Sequence, residues 1–219
     1  NSDNGAIPQG SSGGLRGKKG DIWEGGLRVP ALIEWPARLK QHRRIDLPCG
    51  SVDIYPTLLE LAGAKVAQQP PLDGVSLVSL LDGTMKTRNK PLGFWDYTIG
   101  GKPVKSSDLL EELAKEQAAG NVRPDKEAGQ PMTGLLTEKY PPDEFPGHAA
   151  WLDGDWKLHR IQDKQGKVTW ELYNLGADTK ETKDLLSVET KRSDRMRAEL
   201  TGWLKSVVKS LNGEDYPQR

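Results

Sequence analysis

The hydrophobic positions near the C-terminus recur at three- and four-residue steps. The apolar side chains with this spacing are Met196, Leu200, Trp203, Leu204, Val207 and Leu211. Such spacing places apolar side chains on one face of a helix. The sequence therefore predicts a long amphipathic helix over residues 188–211.

A second helix is predicted between Asp53 and Gly63. Asp53 can cap its N-terminus, Pro56 fits its first turn, and Gly63 fits the left-handed position that ends many helices. Four apolar residues share one face of this helix: Ile54, Leu58, Leu61 and Ala62. A short helix is predicted over residues 77–81.

Strand signals flank these helices. Residues 29–35 are mostly apolar and predict a strand, and residues 93–97 predict the next one. Residues 149–161 and 168–173 carry β-type residues around a turn at 163–166, which predicts a hairpin. The four tryptophans of the hairpin and the last helix are predicted to lie in the core because they bury large apolar areas: Trp151, Trp156, Trp170 and Trp203.

The segment between residues 99 and 147 is the least regular part of the chain. A helix is predicted over residues 107–119, with leucines on one face. Residues 124–147 are rich in proline, glycine and charge, and they predict a long surface loop.

Composition excludes several function classes. The 219 residues include 31 basic and 31 acidic side chains, so the formal net charge is zero, which argues against a nucleic-acid binder. No stretch approaches the roughly 20 apolar residues of a membrane span. Cys49 is the single cysteine, so the sequence has no internal disulfide framework and no cysteine-based metal site.

Oxygen ligands and an ammonium group lie close together at the start of the chain. The Asp3 carboxylate and the Asn4 amide carbonyl are oxygen donors, which suit Ca²⁺ or Mg²⁺ better than zinc. Lys19 lies in a loop with glycines on both sides, where a ligand can approach with little steric hindrance. Together these groups can hold a doubly charged oxyanion. Taken singly, Asp-Asn-Gly is an ordinary turn and Lys19 an ordinary surface lysine.

Other familiar chemistries are not supported. The loop at 17–20 is not a P-loop, because the G-x-x-x-x-G-K-[ST] spacing is not met. No histidine has a visible Ser or Cys partner, so a Ser-His-Asp site is not indicated. His42 is predicted to be solvated, His148 to lie at the edge of a cleft, and His159 to lie on a sheet surface.

Five sequence blocks stand in a fixed order over residues 1–82. They are SDNG at 2–5, GKKGDIWEGGLRVP at 17–30, a segment ending in WP at 35–36, DIYPTLLELAG at 53–63 and LDGVSL at 72–77. In this order they resemble the sulfatase family, the formylglycine-dependent sulfuric-ester hydrolases of the alkaline-phosphatase superfamily. The run from 155 to 185 is also similar to the family's C-terminal hairpin, with Thr179 where proline is usual and Asp184 where asparagine is usual.

The resemblance implies an α/β fold. We expect part of an alkaline-phosphatase-like mixed sheet with flanking helices, plus a C-terminal α+β subdomain of short antiparallel sheet and long helix. Residues 1–92 would be the C-terminal portion of the catalytic domain. Residues 93–219 would be the subdomain, with a variable insertion at 101–147.

The resemblance also implies site residues. Asp3 and Asn4 would be two ligands of an active-site Ca²⁺, with Mg²⁺ less favoured, and Lys19 would be a catalytic group that contacts the sulfate oxygens. His148 and the 101–147 segment are predicted to contact substrate, on loop position alone. The expected substrate is a sulfated small molecule or glycan, a sulfated carbohydrate being favoured. The family implies secretion or periplasmic residence.

The family's nucleophile has no counterpart in this sequence. Formylglycine is made from Cys or Ser in a Cys/Ser-x-Pro-x-Arg motif, and Cys49 is followed by Gly50-Ser51-Val52. We therefore expect an N-terminal part of the same protein to supply it, and we expect this chain to be inactive alone. Between Glu24 and Arg28, four residues apart, we expect a partly buried ion pair that shapes the loop.

Two other functions stay open. One is a phosphoester or phosphonate hydrolase of the same superfamily; the Asp3-Asn4 pair counts against it, because such relatives tend to carry Asp-His at this place. The other is a non-catalytic C-terminal module that binds a glycan or a partner.

Overall fold

The computed structural model describes residues 2–7, 9–96, 111, 114–115, 118–120 and 140–215. The predicted helix at 107–119 and most of the predicted loop at 124–147 lie outside these residues. The variable insertion at 101–147 therefore stays a prediction, as does the division of the chain at residue 92.

A four-stranded antiparallel sheet is the centre of the described structure. Its strands are β1 (Leu92–Asp96), β2 (His148–Asp153), β3 (Trp156–Gln162) and β4 (Val168–Asn174), and they lie in the order β1-β2-β3-β4. The register aligns Trp151 of β2 with Leu158 of β3, and Leu158 with Leu172 of β4. These three side chains therefore point to the same face of the sheet.

The predicted hairpin segment at 149–161 is in fact two strands. The chain turns at Gly154 and Asp155, and Gly154 has a φ of 59°, which glycine adopts at low cost. The two-residue loop Gly154-Asp155, with glycine first, is a known hairpin signal that the strand prediction missed. The predicted turn at 163–166 is confirmed: Gly166 N–H donates to the Asp163 carbonyl at 3.0 Å.

The helices with described bounds are α1 (Glu24–Leu27), α2 (Ile54–Ala62), α3 (Val78–Leu81) and α4 (Thr190–Leu211). A turn of 3₁₀ helix at Ser51–Asp53 precedes α2. The long C-terminal helix is thus confirmed to within two residues at its start, and Gly63 ends α2 with a φ of 61°, as predicted. None of the helices in the described ranges is long and apolar enough to cross a membrane.

One face of the sheet packs against α4. The buried residues of this core are Phe145, Ala149, Trp151, Leu158, Leu172, Met196, Leu200, Leu204 and Val208. The other three tryptophans predicted for the core pack against it, half-buried. Gly93 makes room for one of them, because a Cβ atom there would lie 2.4 Å from the Trp203 ring. This mixed α/β arrangement of short antiparallel sheet and long helix confirms the predicted fold class.

The opposite face of the sheet is also covered. Trp23, from the loop before α1, packs against a second core of Leu92, Leu152, Tyr173 and Leu175. The middle of β3 is therefore covered on both faces: Leu158 is buried under α4, and Lys157 and His159 are buried under the loop. The prediction that His159 lies on a sheet surface is wrong, because the N-terminal loop covers that surface.

The predicted strand at 29–35 is not formed. Among the described residues no strand pairs with this segment, and Leu32 and Ile33 are 83% and 57% exposed. The apolar face of α2 is open as well, with Ile54 51% and Leu58 57% exposed. A strand needs a neighbour to satisfy its N–H and C=O groups, and the described chain places none beside 29–35.

Asp53 does not cap α2 with its side chain. Its fully buried carboxylate instead forms two 2.7 Å hydrogen bonds with Arg88 and accepts the N–H groups of Gly50 and Val75, both at 2.8 Å. Burial alone would raise the pKa of Asp53, but the bonds from Arg88 and the two N–H groups outweigh it and lower this pKa. Asp53 therefore joins the start of α2 to two later segments of the chain.

Candidate functional site

The predicted ligand pair and the predicted lysine belong to one loop assembly. Gly5 N–H donates to the Gly26 carbonyl at 2.8 Å, and Lys19 N–H donates to the Ala6 carbonyl at 2.9 Å. These bonds hold the main chain of Lys19 beside residues 3–6. The structure thus brings together two sequence blocks that are more than ten residues apart.

Glycines make this close approach possible. A Cβ atom on Gly5 would lie 1.8 Å from the Gly25 carbonyl oxygen. On Gly25 it would lie 2.2 Å from the Gly17 oxygen, and on Gly26 it would lie 2.1 Å from the Asp21 oxygen. All three distances are well below van der Waals contact, so the backbone segments can pack this tightly only without side chains.

Asp3 and Lys19 are exposed, and Asn4 is half-buried. The Asn4 amide nitrogen donates to the Gly5 carbonyl at 2.9 Å, which leaves Oδ1 as a possible ligand atom. Ca²⁺ takes about six to eight oxygen ligands, so Asp3 and Asn4 fit the chemistry of such a site but supply only part of it. Elsewhere in the described ranges, no three His, Cys, Asp or Glu side chains are placed to hold a metal ion.

A buried ionic network joins this loop to the sheet. Lys157 Nζ lies 2.9 Å from Glu24 Oε1 and 3.0 Å from Glu181 Oε1, and the Glu24 N–H donates to Glu181 Oε2 at 2.7 Å. All three side chains are buried. The predicted pair of Glu24 and Arg28 is confirmed at 3.5 Å, with Glu24 buried and Arg28 exposed. Buried charges are costly unless they are paired, so this network favours one placement of the loop.

Two histidines extend the network to the end of β2. His159 Nε2 lies 2.8 Å from Glu181 Oε1, and His159 Nδ1 lies 2.8 Å from His148 Nε2. The Trp23 ring stacks on His159 with the centroids 4.1 Å apart and meets His148 edge-on at 5.0 Å. His148, predicted at a cleft edge, is thus half-buried against the loop before α1 that carries Trp23.

Both rings are neutral near pH 7. Burial, followed by the neighbouring His159 and Lys157, lowers the pKa of His148 to about 3, against smaller opposing effects of Glu181 and Asp21. Burial and Lys157 also hold the pKa of His159 well below its usual value. A neutral imidazole offers one donor and one acceptor, so each hydrogen bond in the chain constrains the next.

Arg16 packs against Trp23 and hydrogen-bonds to β4 beside this network. Its guanidinium carbon lies 3.3 Å from the centroid of the Trp23 ring, and its Nη1 donates to the Tyr173 hydroxyl at 3.0 Å and to Glu171 at 3.2 Å. These contacts fix the indole that covers the two histidines.

Sequence reasoning missed the roles of Lys157, His159 and Glu181. Lys157 and His159 stand two apart on one strand, so they share a face of the sheet; this spacing was a usable signal. No sequence signal marks Glu181, because its φ of 55°, unusual for a residue with a side chain, cannot be read from the sequence.

In comparisons with known proteins, the first third of the chain is similar to sulfatases. Residues 1–64 match the family model described as Sulfatase. Human steryl-sulfatase is 42% identical over 82 residues, which is 37% of this chain and 14% of that protein. Human arylsulfatase A is 43% identical over 86 residues, which is 39% of this chain and 17% of that protein. The chain thus aligns with less than a fifth of these relatives' length.

A solved structure resembles most of the chain. The crystal structure of Ps i-CgsB in complex with k-i-k-neocarrahexaose superposes with a TM-score of 0.58 and 22% sequence identity. The match covers 88% of this chain and 32% of that one. At this identity the likeness establishes the fold alone.

Proposed function

We propose that this chain forms part of the active site of a sulfuric ester hydrolase, because its residues 1–64 match the Sulfatase family model. The observation that carries the proposal is the glycine-packed assembly that holds the main chain of Lys19 beside Asp3 and Asn4. Oxygen donors and an ammonium group in one exposed loop assembly suit a divalent cation and a sulfate ester.

Asp3 and Asn4 would hold Ca²⁺, whose positive charge would stabilise the oxygens of the bound ester. The Lys19 ammonium would contact the same oxygens from the protein side and neutralise charge that develops as the ester bond breaks. Both roles use side chains that the described structure leaves exposed or half-exposed.

The nucleophile would come from outside these 219 residues. The sequence contains no Cys/Ser-x-Pro-x-Arg motif. Its one cysteine lies exposed in a loop, where Cys49 Sγ contacts the Leu47 carbonyl at 3.4 Å. We therefore propose a formylglycine supplied by another segment of the protein, and no turnover by this chain alone.

A sulfated carbohydrate is the substrate class that we propose. His148, half-buried beside Trp23, is a polar side chain suited to a hydroxylated ligand. The buried pairing of Lys157 with Glu24 ties this loop to the sheet, which counts against a C-terminal module that works independently of the loop.

Sulfate binding to the purified chain tests the proposal. Titration calorimetry with sodium sulfate in the presence of Ca²⁺ should show binding that Lys19→Ala weakens and that Asp3→Ala makes independent of Ca²⁺. Lys18→Ala is the matched control, since Lys18 is the neighbouring exposed lysine. Equal losses for the two lysine variants would contradict the role of Lys19. Tighter binding of phosphate than of sulfate would favour the phosphoester alternative.

An activity assay tests the source of the nucleophile. The chain should release no product from an aryl sulfate, whereas a form of the protein that also carries the formylglycine segment should do so. Turnover by the 219-residue chain would contradict an external nucleophile.

A further inference from the structure

The hydrogen-bonded chain from Glu181 through His159 ends at His148. We propose that His148 Nδ1 accepts a hydrogen bond from a hydroxyl group of the substrate, with Glu181 and His159 as positioning residues that fix its tautomer. This inference rests on the proposed function, since it names the part of the substrate that lies next to the sulfate ester.

The tautomers follow from the order of the contacts. The Glu181 carboxylate can only accept, so His159 Nε2 donates to it across 2.8 Å. The neutral His159 ring then has a bare Nδ1, which accepts the proton of His148 Nε2 across 2.8 Å. A neutral His148 is left with a bare Nδ1, an acceptor with one lone pair.

The carboxylate at the start of this chain is held in place. Glu181 Oε1 also lies 3.0 Å from Lys157 Nζ, and Oε2 accepts the Glu24 N–H at 2.7 Å. The Lys157 ammonium and the Glu24 N–H can only donate, so both Glu181 oxygens act as acceptors. The preference for one tautomer is therefore transmitted outward from a buried ion pair to a half-buried ring.

The bare nitrogen is accessible. His148 Nδ1 has no hydrogen-bond partner within the described part of the chain, and it is not among the buried polar atoms that lack one. The ring is half-buried, so Nδ1 can meet a ligand.

Its position is beside the loop that carries Lys19. The His148 ring packs edge-on against Trp23, and the Asp21 carboxylate is near enough to favour the protonated ring. Asp21 itself accepts the Lys18 N–H at 2.9 Å. His148 thus borders the same short segment that carries Lys19, and in this proposal the non-sulfate part of an ester lies against that border.

An acceptor of this kind selects for a donor. A ligand hydroxyl satisfies Nδ1, whereas an apolar group at the same place removes water and leaves the nitrogen unpaired. The structure therefore favours hydroxylated sulfate esters over esters of apolar alcohols.

Nitrogen-15 NMR of the purified chain tests the tautomer directly. The chain has three histidines, and exposed His42 supplies the reference signal of a ring that exchanges freely between tautomers. We expect His148 and His159 each to show a single neutral tautomer with the proton on Nε2. A protonated Nδ1 on His148 would overturn the inference.

Ligand titration tests the contact. With Ca²⁺ present, galactose 6-sulfate should shift the His148 Nδ1 resonance and the Lys19 signals, whereas methyl sulfate should shift only Lys19. Shifts at Lys19 with both ligands but none at His148 would overturn the inference and leave the proposed function standing. A shift at His148 without one at Lys19 would support the inference and contradict the role of Lys19. No shift at either residue would overturn both.

A variant measures the size of the effect. His148→Phe should weaken galactose 6-sulfate binding by about fivefold to tenfold, the value of one hydrogen bond, and leave methyl sulfate binding unchanged. His42→Phe is the matched control. Equal weakening of both ligands by His148→Phe would overturn the inference, and the titration of the unaltered chain stands independently of whether this variant folds.

Discussion

The Nζ atom of Lys157, in β3, lies 2.9 Å from the Oε1 atom of Glu24, the first residue of α1, which follows the loop that packs over the sheet. The two residues are 133 positions apart in sequence, and the Lys157 side chain has no solvent exposure. The sheet and the loop with the candidate site are therefore joined by a buried charge pair as well as by the packing of Trp23.

Replacing Lys157 should destabilise the fold strongly. Lys157→Met leaves Glu24 and Glu181 buried without their shared cation, and breaking a buried pair in this way costs about 3–5 kcal/mol. Urea unfolding followed by circular dichroism measures the free energy of unfolding. Lys164→Met, in the exposed turn between β3 and β4, is the control and should change it by less than about 0.5 kcal/mol. Similar values for the two variants would mean that the network contributes little.

Asp184 should tolerate asparagine but not alanine. Its Oδ1 atom accepts the N–H groups of Leu172 and Leu186, both at 2.9 Å. Asparagine presents an acceptor oxygen at the same place. Asp184→Asn should therefore change the free energy of unfolding by less than about 0.5 kcal/mol.

Asp184→Ala removes the acceptor and should cost about 1–2 kcal/mol, because two N–H groups lose their partner. Thermal unfolding of the two variants side by side gives the comparison. If asparagine were as destabilising as alanine, the charge of Asp184 rather than its hydrogen bonds would be what matters.

The sequence predicted the elements whose signals are local. The helix at 190–211 and the strand at 92–96 were found because their patterns lie within a few residues of one another. The strand predicted at 29–35 is not formed, because a strand depends on a partner elsewhere, and a run of apolar residues does not report whether that partner is present. His159 was misassigned because a polar residue on a strand usually faces solvent, and nothing local shows that a loop from more than a hundred residues earlier covers it.

The candidate site was predictable in part for the same reason. Glycines on both sides of Lys19 predicted that a ligand can approach this loop. The packing of Gly25 and Gly26 against other backbone segments, where an added Cβ would lie within 2.3 Å of a carbonyl oxygen, was not predicted. The partners of His148 were not predictable, because the left-handed backbone at Glu181 that aims its carboxylate at His159 leaves no mark in composition or spacing.

Acidification should destabilise the chain through its neutral histidines. In the unfolded chain His148 takes up a proton near its ordinary pKa of 6.5, but in the folded chain this pKa is about 3. The unfolded state therefore binds more protons as the pH falls below 6.5, and the free energy of unfolding decreases by up to about 1.4 kcal/mol per pH unit for each such group.

His148→Gln should reduce this dependence between pH 6.5 and 4, because the variant has no ring to protonate in the unfolded state. Unfolding midpoints in urea at half-unit pH intervals measure the slope. A slope unchanged by the substitution would show that His148 carries its ordinary affinity for protons in the folded chain.

Gly25 should not accept a side chain, whereas Gly202 should benefit from one. In Gly25→Ala the new Cβ atom would lie 2.2 Å from the Gly17 carbonyl oxygen, so the loop must move, at a cost of about 1–3 kcal/mol typical of overpacking. In Gly202→Ala the Cβ atom meets nothing within 4 Å on the exposed side of α4, and the higher helix propensity of alanine should stabilise the chain by up to about 1 kcal/mol. Because Gly25 packs against Gly5, which follows Asn4, and against Gly17, two residues before Lys19, Gly25→Ala should also weaken Ca²⁺-dependent sulfate binding. Gly202→Ala should leave this binding unchanged. Unfolding free energy and calorimetric sulfate affinity, measured for both variants, separate the two effects. A Gly25→Ala chain that is destabilised but binds sulfate normally would show that the tight glycine packing serves the fold and not the site.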